Sequence, residues 1–185
     1  MDDSVFNVVL DYPDILTSIT RKVCMPESDK KIVVIGVGNL LLADEGIGIH
    51  AVNELEKDNF PPSVEIIDGG TAGIDLLFLL EDASYAIIID CVEAAAEPGA
   101  ILRIPVEELI LQAPVQAISL HDINLAEVLS MAKRLDKLPE TIIFGVQPGE
   151  IRFDTELTTV VNNSLPRLIQ LVKQEVSRLS ISSYV

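Results

Sequence analysis

Four short runs rich in β-branched residues, "KIVVIGV" (31–37), "VEIID" (64–68), "YAIIID" (85–90) and "TIIFGV" (141–146), set the limits on what this chain can fold into. Runs of this length and composition, bounded by turn residues, read as strands buried on both faces, and strands of that kind belong to parallel sheets covered by helices. The segments between them supply the helices. One is expected from about Glu45, with Ile47, Ala51, Val52 and Leu55 on one face. "AGIDLLFLL" gives a second, very apolar helix, and Leu125, Val128, Leu129, Ala132 and Leu135 have the spacing of a third. From Leu157 a helical face runs through Val161, Leu165, Leu168, Val172, Val176 and Leu179, with Pro166 either kinking it or opening a new first turn. "PGAILRIPV" reads as an edge strand, entered at Pro98-Gly99 and left at Pro105. The order β-α-β-α-β-β-α-β-α predicts a single three-layer α/β/α domain with a mainly parallel sheet of about five strands and right-handed crossovers.

The 185 residues suit one domain, since roughly 100 to 200 residues per domain is usual. That domain is expected over residues 31–185. Residues 1–30 stand apart as a polar lead-in, partly helical or disordered, with Ile15, Ile19 and Val23 recurring every fourth position after Pro13. A formal charge of −16 opposes any nucleic-acid partner, because that affinity depends on Lys and Arg displacing counterions. No apolar run reaches the ~20 residues of a membrane span, and Asp2 and Asp3 replace the basic start of a signal peptide. Two cysteines, Cys24 and Cys91, make neither a disulfide framework nor a metal-binding pair. The expectation is a soluble cytoplasmic protein without membrane insertion.

In open α/β sheets the working face lies beyond the carboxyl ends of the strands. Asn39, Asp44 and Glu45 follow the first strand, Asp68 ends the second and Asp90 the third, and His121 opens the helix before the last. Carboxylates around one mouth repel each other unless solvated, paired or bound to a cation. Glu45, Asp90 and His121 offer two oxygen ligands and one imidazole, a set suited to a divalent metal such as nickel or zinc. Plainer roles compete with this. Asp90 could cap a turn, Glu45 could be a first-turn acid favoured by the helix dipole, and Ser119-x-x-Asp122 could be a capping box that makes His121 incidental. His50, one turn into the first helix, reads as a surface or packing residue.

"GVGNLLLADEGIG" (36–48) invites a dinucleotide reading, but Leu41 stands where the fingerprint needs a third glycine, and two acids follow. There is no GxSxG elbow and no HExxH, and Cys91 in an apolar run suits packing better than nucleophilic attack.

Taken in order, "GVGNLLLADEGIG", "EIIDGGTAGIDLL", "IIIDCVEAAAEPGAI", "SLHDINLAEVL" and "GVQPGEI" resemble the pattern of the hydrogenase maturation endopeptidases over residues 31–179. The resemblance implies an endopeptidase that removes the C-terminal peptide from a nickel-iron hydrogenase large-subunit precursor once nickel has been inserted. It implies that Glu45, Asp90 and His121 are ligands for the nickel held by that substrate, and that Asp68 takes part in cleavage. Nickel then comes with the nickel-loaded precursor, and no tightly bound metal of the protein's own is expected. Two alternatives differ in class: an assembly factor that senses nickel without cutting, and a nucleotide-binding α/β enzyme.

Overall fold

The computed structural model describes residues 30–71, 73–112 and 124–182. Strands β1 (Ile32–Val37), β2 (Val64–Gly70), β3 (Tyr85–Cys91), β4 (Ile101–Pro105) and β5 (Glu140–Val146) form one sheet in the order β2-β1-β3-β5-β4. The pairings of β1 with β2, β1 with β3 and β3 with β5 are parallel, and β4 lies antiparallel against β5 at the edge. This is the α/β architecture that the alternation of runs predicted, including the edge position of the proline-flanked strand.

The alternation of side chains along each strand builds two cores, one per face. Ile32, Val34, Ile87, Ile89, Phe144 and Val146 pack with helix α1 (Ile47–Leu55) and with the long helix α5 (Thr159–Ser182). Val33, Ile35, Ile88 and Ile143 pack on the other face with α2 (Leu76–Leu80), α3 (Val106–Gln112) and α4 (Leu125–Arg134). Val33, Val34, Ile35, Ile87, Ile88 and Ile89 are fully buried, and each such side chain contributes about 1.5–3 kcal/mol relative to exposure. The predicted apolar stripe of α5 is the buried one, with Val161, Leu168, Val172, Val176 and Leu179 inside. That helix continues through Pro166 rather than restarting there.

Helix α3 was absent from the expected order. Its signal is Val106, Leu109 and Ile110 at i, i+3 and i+4 behind Glu107 and Glu108, but seven residues directly after Pro105 are too short to stand out from a strand exit. Helix α4 starts at Leu125, where Asn124 accepts from the Glu127 N–H and the Glu127 carboxylate accepts from the Asn124 N–H. The working capping box is therefore Asn124 and Glu127, and the one suggested at Ser119 and Asp122 lies outside the described residues. The lead-in expected over residues 1–30 lies outside them too, apart from Lys30.

At the far end of the sheet, Glu175 of α5 sits in the apolar face with only 8% of its surface exposed. Burial works to raise its pKa, yet hydrogen bonds from Arg178 and Arg103 outweigh that and hold it below the usual carboxylate range. Arg103 donates at 2.8 Å and Arg178 at 2.7 Å to the same oxygen, Oε1. Both guanidinium groups are about half exposed, so water screens much of the attraction. Glu175→Ala should lower stability in urea by about 1 kcal/mol, with part of the loss recovered in Glu175→Gln.

Candidate active site at the strand ends

The chain leaves β1 through α1 to reach β2 on one side, then crosses back through α2 to β3 on the other. β1 and β3 therefore flank the point where the winding reverses, and their carboxyl ends part to leave a crevice. A cavity of about 230 Å³ opens there, lined by Val37, Gly38, Glu45, Thr71, Asp90 and Cys91. Leu125, the first residue of α4, closes one side of it.

The glycines of the opening motif bring Glu45 to this crevice by letting backbones touch. A Cβ on Gly48 would stand 2.2 Å from the Val37 carbonyl oxygen and 2.4 Å from that of Ile89. One on Gly36 would stand 2.2 Å from the Gly48 carbonyl oxygen. The first turn of α1 thus rests directly on β1 and β3. The close-packing role that a dinucleotide fingerprint gives to its third glycine falls here to Gly48, beyond the acidic pair. Gly38, at φ +147°, leaves room for the Glu45 carbonyl, which accepts the Asn39 N–H at 3.2 Å and closes the loop.

Asp90, the last residue but one of β3, lies beside Glu45 in the cavity lining. Burial raises its pKa from 3.8 to about 7; the Cys91 N–H, donating at 2.8 Å, opposes the rise, and the charge of Glu45 adds to it. Cys91 is half-buried: it lines the same cavity while packing against the core on the α1 and α5 face of the sheet. Burial, followed by the charges of Asp90, Glu45, Asp44 and Glu93, pushes that thiol up to about 12. At neutral pH it is protonated and a poor nucleophile.

The neighbouring acid does something different from Glu45. Asp44 is fully buried and turned inward. Its Oδ2 accepts from the N–H groups of Gly149 and Glu150 at 2.8 and 2.9 Å and from the Thr158 hydroxyl at 2.8 Å, and its Oδ1 accepts from the Thr158 N–H at 2.7 Å. Asp44 thereby pins the segment after β5 to the loop that carries Glu45. Asp68 lies at the end of β2, paired with Gly36 across β1 from the crevice. It is exposed, and its Oδ1 accepts the Gly70 N–H at 2.8 Å, the geometry of an Asx turn. From the same loop it is Thr71 that lines the cavity.

Gln147, to which the sequence alone assigned no role, is 4% exposed and organises the loop after β3. Its Oε1 accepts from Ala94 at 2.8 Å and Ala96 at 3.2 Å, while its Nε2 donates to Glu93 at 2.8 Å. Its signal was a lone amide in "GVQPG" at a strand end. The Nε2 of His50 is shut from solvent with no hydrogen-bond partner among the described residues, in keeping with a packing residue. His121 lies outside the described residues. Among those described, no three His, Cys, Asp or Glu side chains gather closely enough to hold a metal ion. Glu45 and Asp90 are the two candidate ligands brought together.

A doubly covered sheet with paired carboxylates at its switch point defines an α/β domain that works at its strand ends. The model of the hydrogenase maturation protease family matches residues 49–175. The hydrogenase expression/formation protein HupD of Bradyrhizobium diazoefficiens is 33% identical over 163 residues, covering 85% of each chain. HupD of Thiocapsa roseopersicina is 32% identical over 157 residues, covering 83% of this chain and 71% of its own. The hydrogenase maturating endopeptidase HybD from E. coli superposes with a TM-score of 0.71 at 33% identity, over 80% of this chain and 93% of its own. The chain belongs to the hydrogenase maturation protease family, and its activity is that of a peptide hydrolase. Among the described residues no helix is long and apolar enough to cross a membrane.

Proposed function

We propose that this protease removes the C-terminal extension of a nickel-iron hydrogenase large-subunit precursor after nickel insertion, and that it recognises the nickel its substrate carries. The observation that supports this is the pair Glu45 and Asp90 in one cavity, where burial and the charge of Glu45 leave the Asp90 carboxyl half-protonated near neutral pH. Two carboxylates so placed gain from a cation between them, and their hard oxygen donors fit a divalent metal arriving with further ligands of its own. His121 is the third ligand in this proposal. A divalent metal at a scissile bond supplies carbonyl polarisation or an acidified water. Glu45, Asp90 and His121 hold and orient the metal-bearing end of the precursor, so that an empty precursor gains little from the site. Asp68 is the candidate proton acceptor, and its bond to Gly70 gives it a competing role in the turn that carries Thr71.

The experiment is to mix the protein with nickel-loaded and metal-free precursor and weigh the subunit afterwards. Shortening of the loaded form alone is expected. His121→Ala and Glu45→Gln should each weaken binding of the loaded precursor at least tenfold. Asp68→Asn should bind normally and fail to cut; normal cutting would assign Asp68 to the turn alone. Shortening of metal-free precursor at an equal rate would remove nickel from the proposal. A stoichiometric metal that survives chelator dialysis of the isolated protein would contradict delivery by the substrate.

A further inference from the structure

The loop that brings Glu45 to the crevice also carries exposed apolar side chains that neither the core nor the candidate ligand set uses. Leu40 and Leu41 form the tip of the loop that Asn39 and Glu45 close, and they are 38% and 52% exposed. Against this tip lies the segment pinned by Asp44. Leu42 and Asp154 form a parallel bridge, with the Asp154 N–H donating to the Leu41 carbonyl at 3.0 Å and the Ala43 N–H to the Asp154 carbonyl at 2.8 Å. These two bonds set the backbones of Leu41 and Phe153 side by side, one residue before the bridged pair. Phe153 is 83% exposed and Ile151 56%. The intervening charges satisfy one another: Arg152 contacts Glu150 at 2.9 Å and Asp154 at 2.8 Å. The segment therefore has a charged side, on which Arg152 bridges two carboxylates and leaves one net negative charge, and apolar side chains left open to water, held in place by the four hydrogen bonds to Asp44.

We infer that Leu41, Ile151 and Phe153 form a docking ledge for an apolar stretch of the large-subunit precursor; this rests on the function proposed above. Contiguous exposed apolar side chains next to a working site mark interaction surfaces, and aromatic and large aliphatic anchors carry most of the binding in them. The position commits the ledge to the substrate. It shares one closed loop with Glu45, so a polypeptide that brings its bond to the crevice lies alongside Leu41. The charge disfavours the other occupants. Two copies of this chain, each of formal charge −16, repel each other, as would an anionic lipid surface. At the ledge itself Arg152 offsets one of its two carboxylate partners, and the single negative charge left over does not oppose a neutral apolar segment.

The test uses the full chain with Leu41→Ser and Phe153→Ser together, beside a control, Leu135→Ser, whose leucine is equally exposed (54%) at the C-terminal end of α4. With nickel-loaded precursor, KM should rise about tenfold or more in the double variant, with kcat within about twofold, and the control should match the native chain. Thermal midpoints should agree among all three, because the altered side chains are outside the core. Direct binding of the precursor to immobilised protein is measured in parallel. If the native chain binds the precursor without cutting it, the proposed function fails while the ledge is still judged by the lost affinity of the double variant. An unchanged KM and affinity would overturn the ledge alone. A change in oligomeric state by sedimentation, with processing intact, would assign the surface to a second copy and overturn it equally.

Discussion

Asp44→Ala is expected to lower the free energy of unfolding by about 3 kcal/mol or more, although the residue lies in a loop. Its carboxylate is fully buried and accepts four hydrogen bonds, three from backbone N–H groups and one from the Thr158 hydroxyl. Hydrogen bonds to a charged acceptor are worth about 1.5–3 kcal/mol each, and removing the acceptor strands its donors. Part of that loss is regained, because Glu150 is exposed and its amide can turn to water. Asp44→Asn keeps one carbonyl acceptor and should lose about half as much. The signature beyond the midpoint is local: the amides of Gly149, Glu150 and Thr158 should exchange with deuterium much faster in Asp44→Ala while those of β1 and β3 stay protected. Unchanged exchange at those three positions would show that the segment after β5 is held by something else. Glu45→Ala, one residue away, should leave stability nearly unchanged and act on binding.

The second large effect is a pH dependence of stability carried by Asp90. Its carboxyl titrates at 3.8 when unfolded and near 7 when folded, because of burial first and the charge of Glu45 in addition. Between these values the folded chain binds more protons than the unfolded one, so stability falls as pH rises from about 4 to about 7 and levels off above. The loss is complete only once the pH has passed the folded pKa. Each pH unit between the two values is worth about 1.4 kcal/mol, so the whole loss amounts to about 4 kcal/mol. Asp90→Asn cannot ionise, and at pH 8 it should therefore unfold at higher urea than the native chain, while near pH 4 the two should agree. Parallel curves for both proteins across this range would show that Asp90 is not the group responsible. In a site built to receive a cation the same imbalance is useful, since the ionised carboxylate is costly until a positive charge arrives.

The sheet was legible because its signal is local. "IVVIGV", "YAIIID" and "TIIFGV" each carry enough β-branched residues to declare a buried strand without knowledge of their neighbours. Asp90 was legible as a strand-end acid for the same reason, and Glu45 as an acid in the loop after β1. What sequence could not separate was Asp44 from Glu45. The two adjacent acids differ in which way the 3-10 turn at Ala43–Gly46 points them, and the partners of Asp44 lie 105 and more positions away. Thr71 and Gln147 were missed because a threonine after a glycine pair and an amide after a strand have many ordinary uses. Cys91 reads as a packing residue, and it packs against the core while also lining the cavity at the end of β3. Ile151 and Phe153 alternate with charges as in a strand, but only a single bridge, to Leu42, gives that alternation meaning.

At Gly36 and Gly48 the backbone of α1 meets the strand backbones directly, with the Val52 side chain lying against Gly36. Elsewhere the distance between helix and sheet is set by the volumes of interdigitated Ile, Val and Leu, and it drifts as those volumes change over generations of substitution. At this contact the only side-chain volume is that of Val52, and the glycines contribute none. The spacing between the Glu45 loop and the end of β3 is thus insulated from drift in the two cores. A protein engineer could repack either face of this sheet extensively while keeping the mouth in register, provided both glycines are left alone.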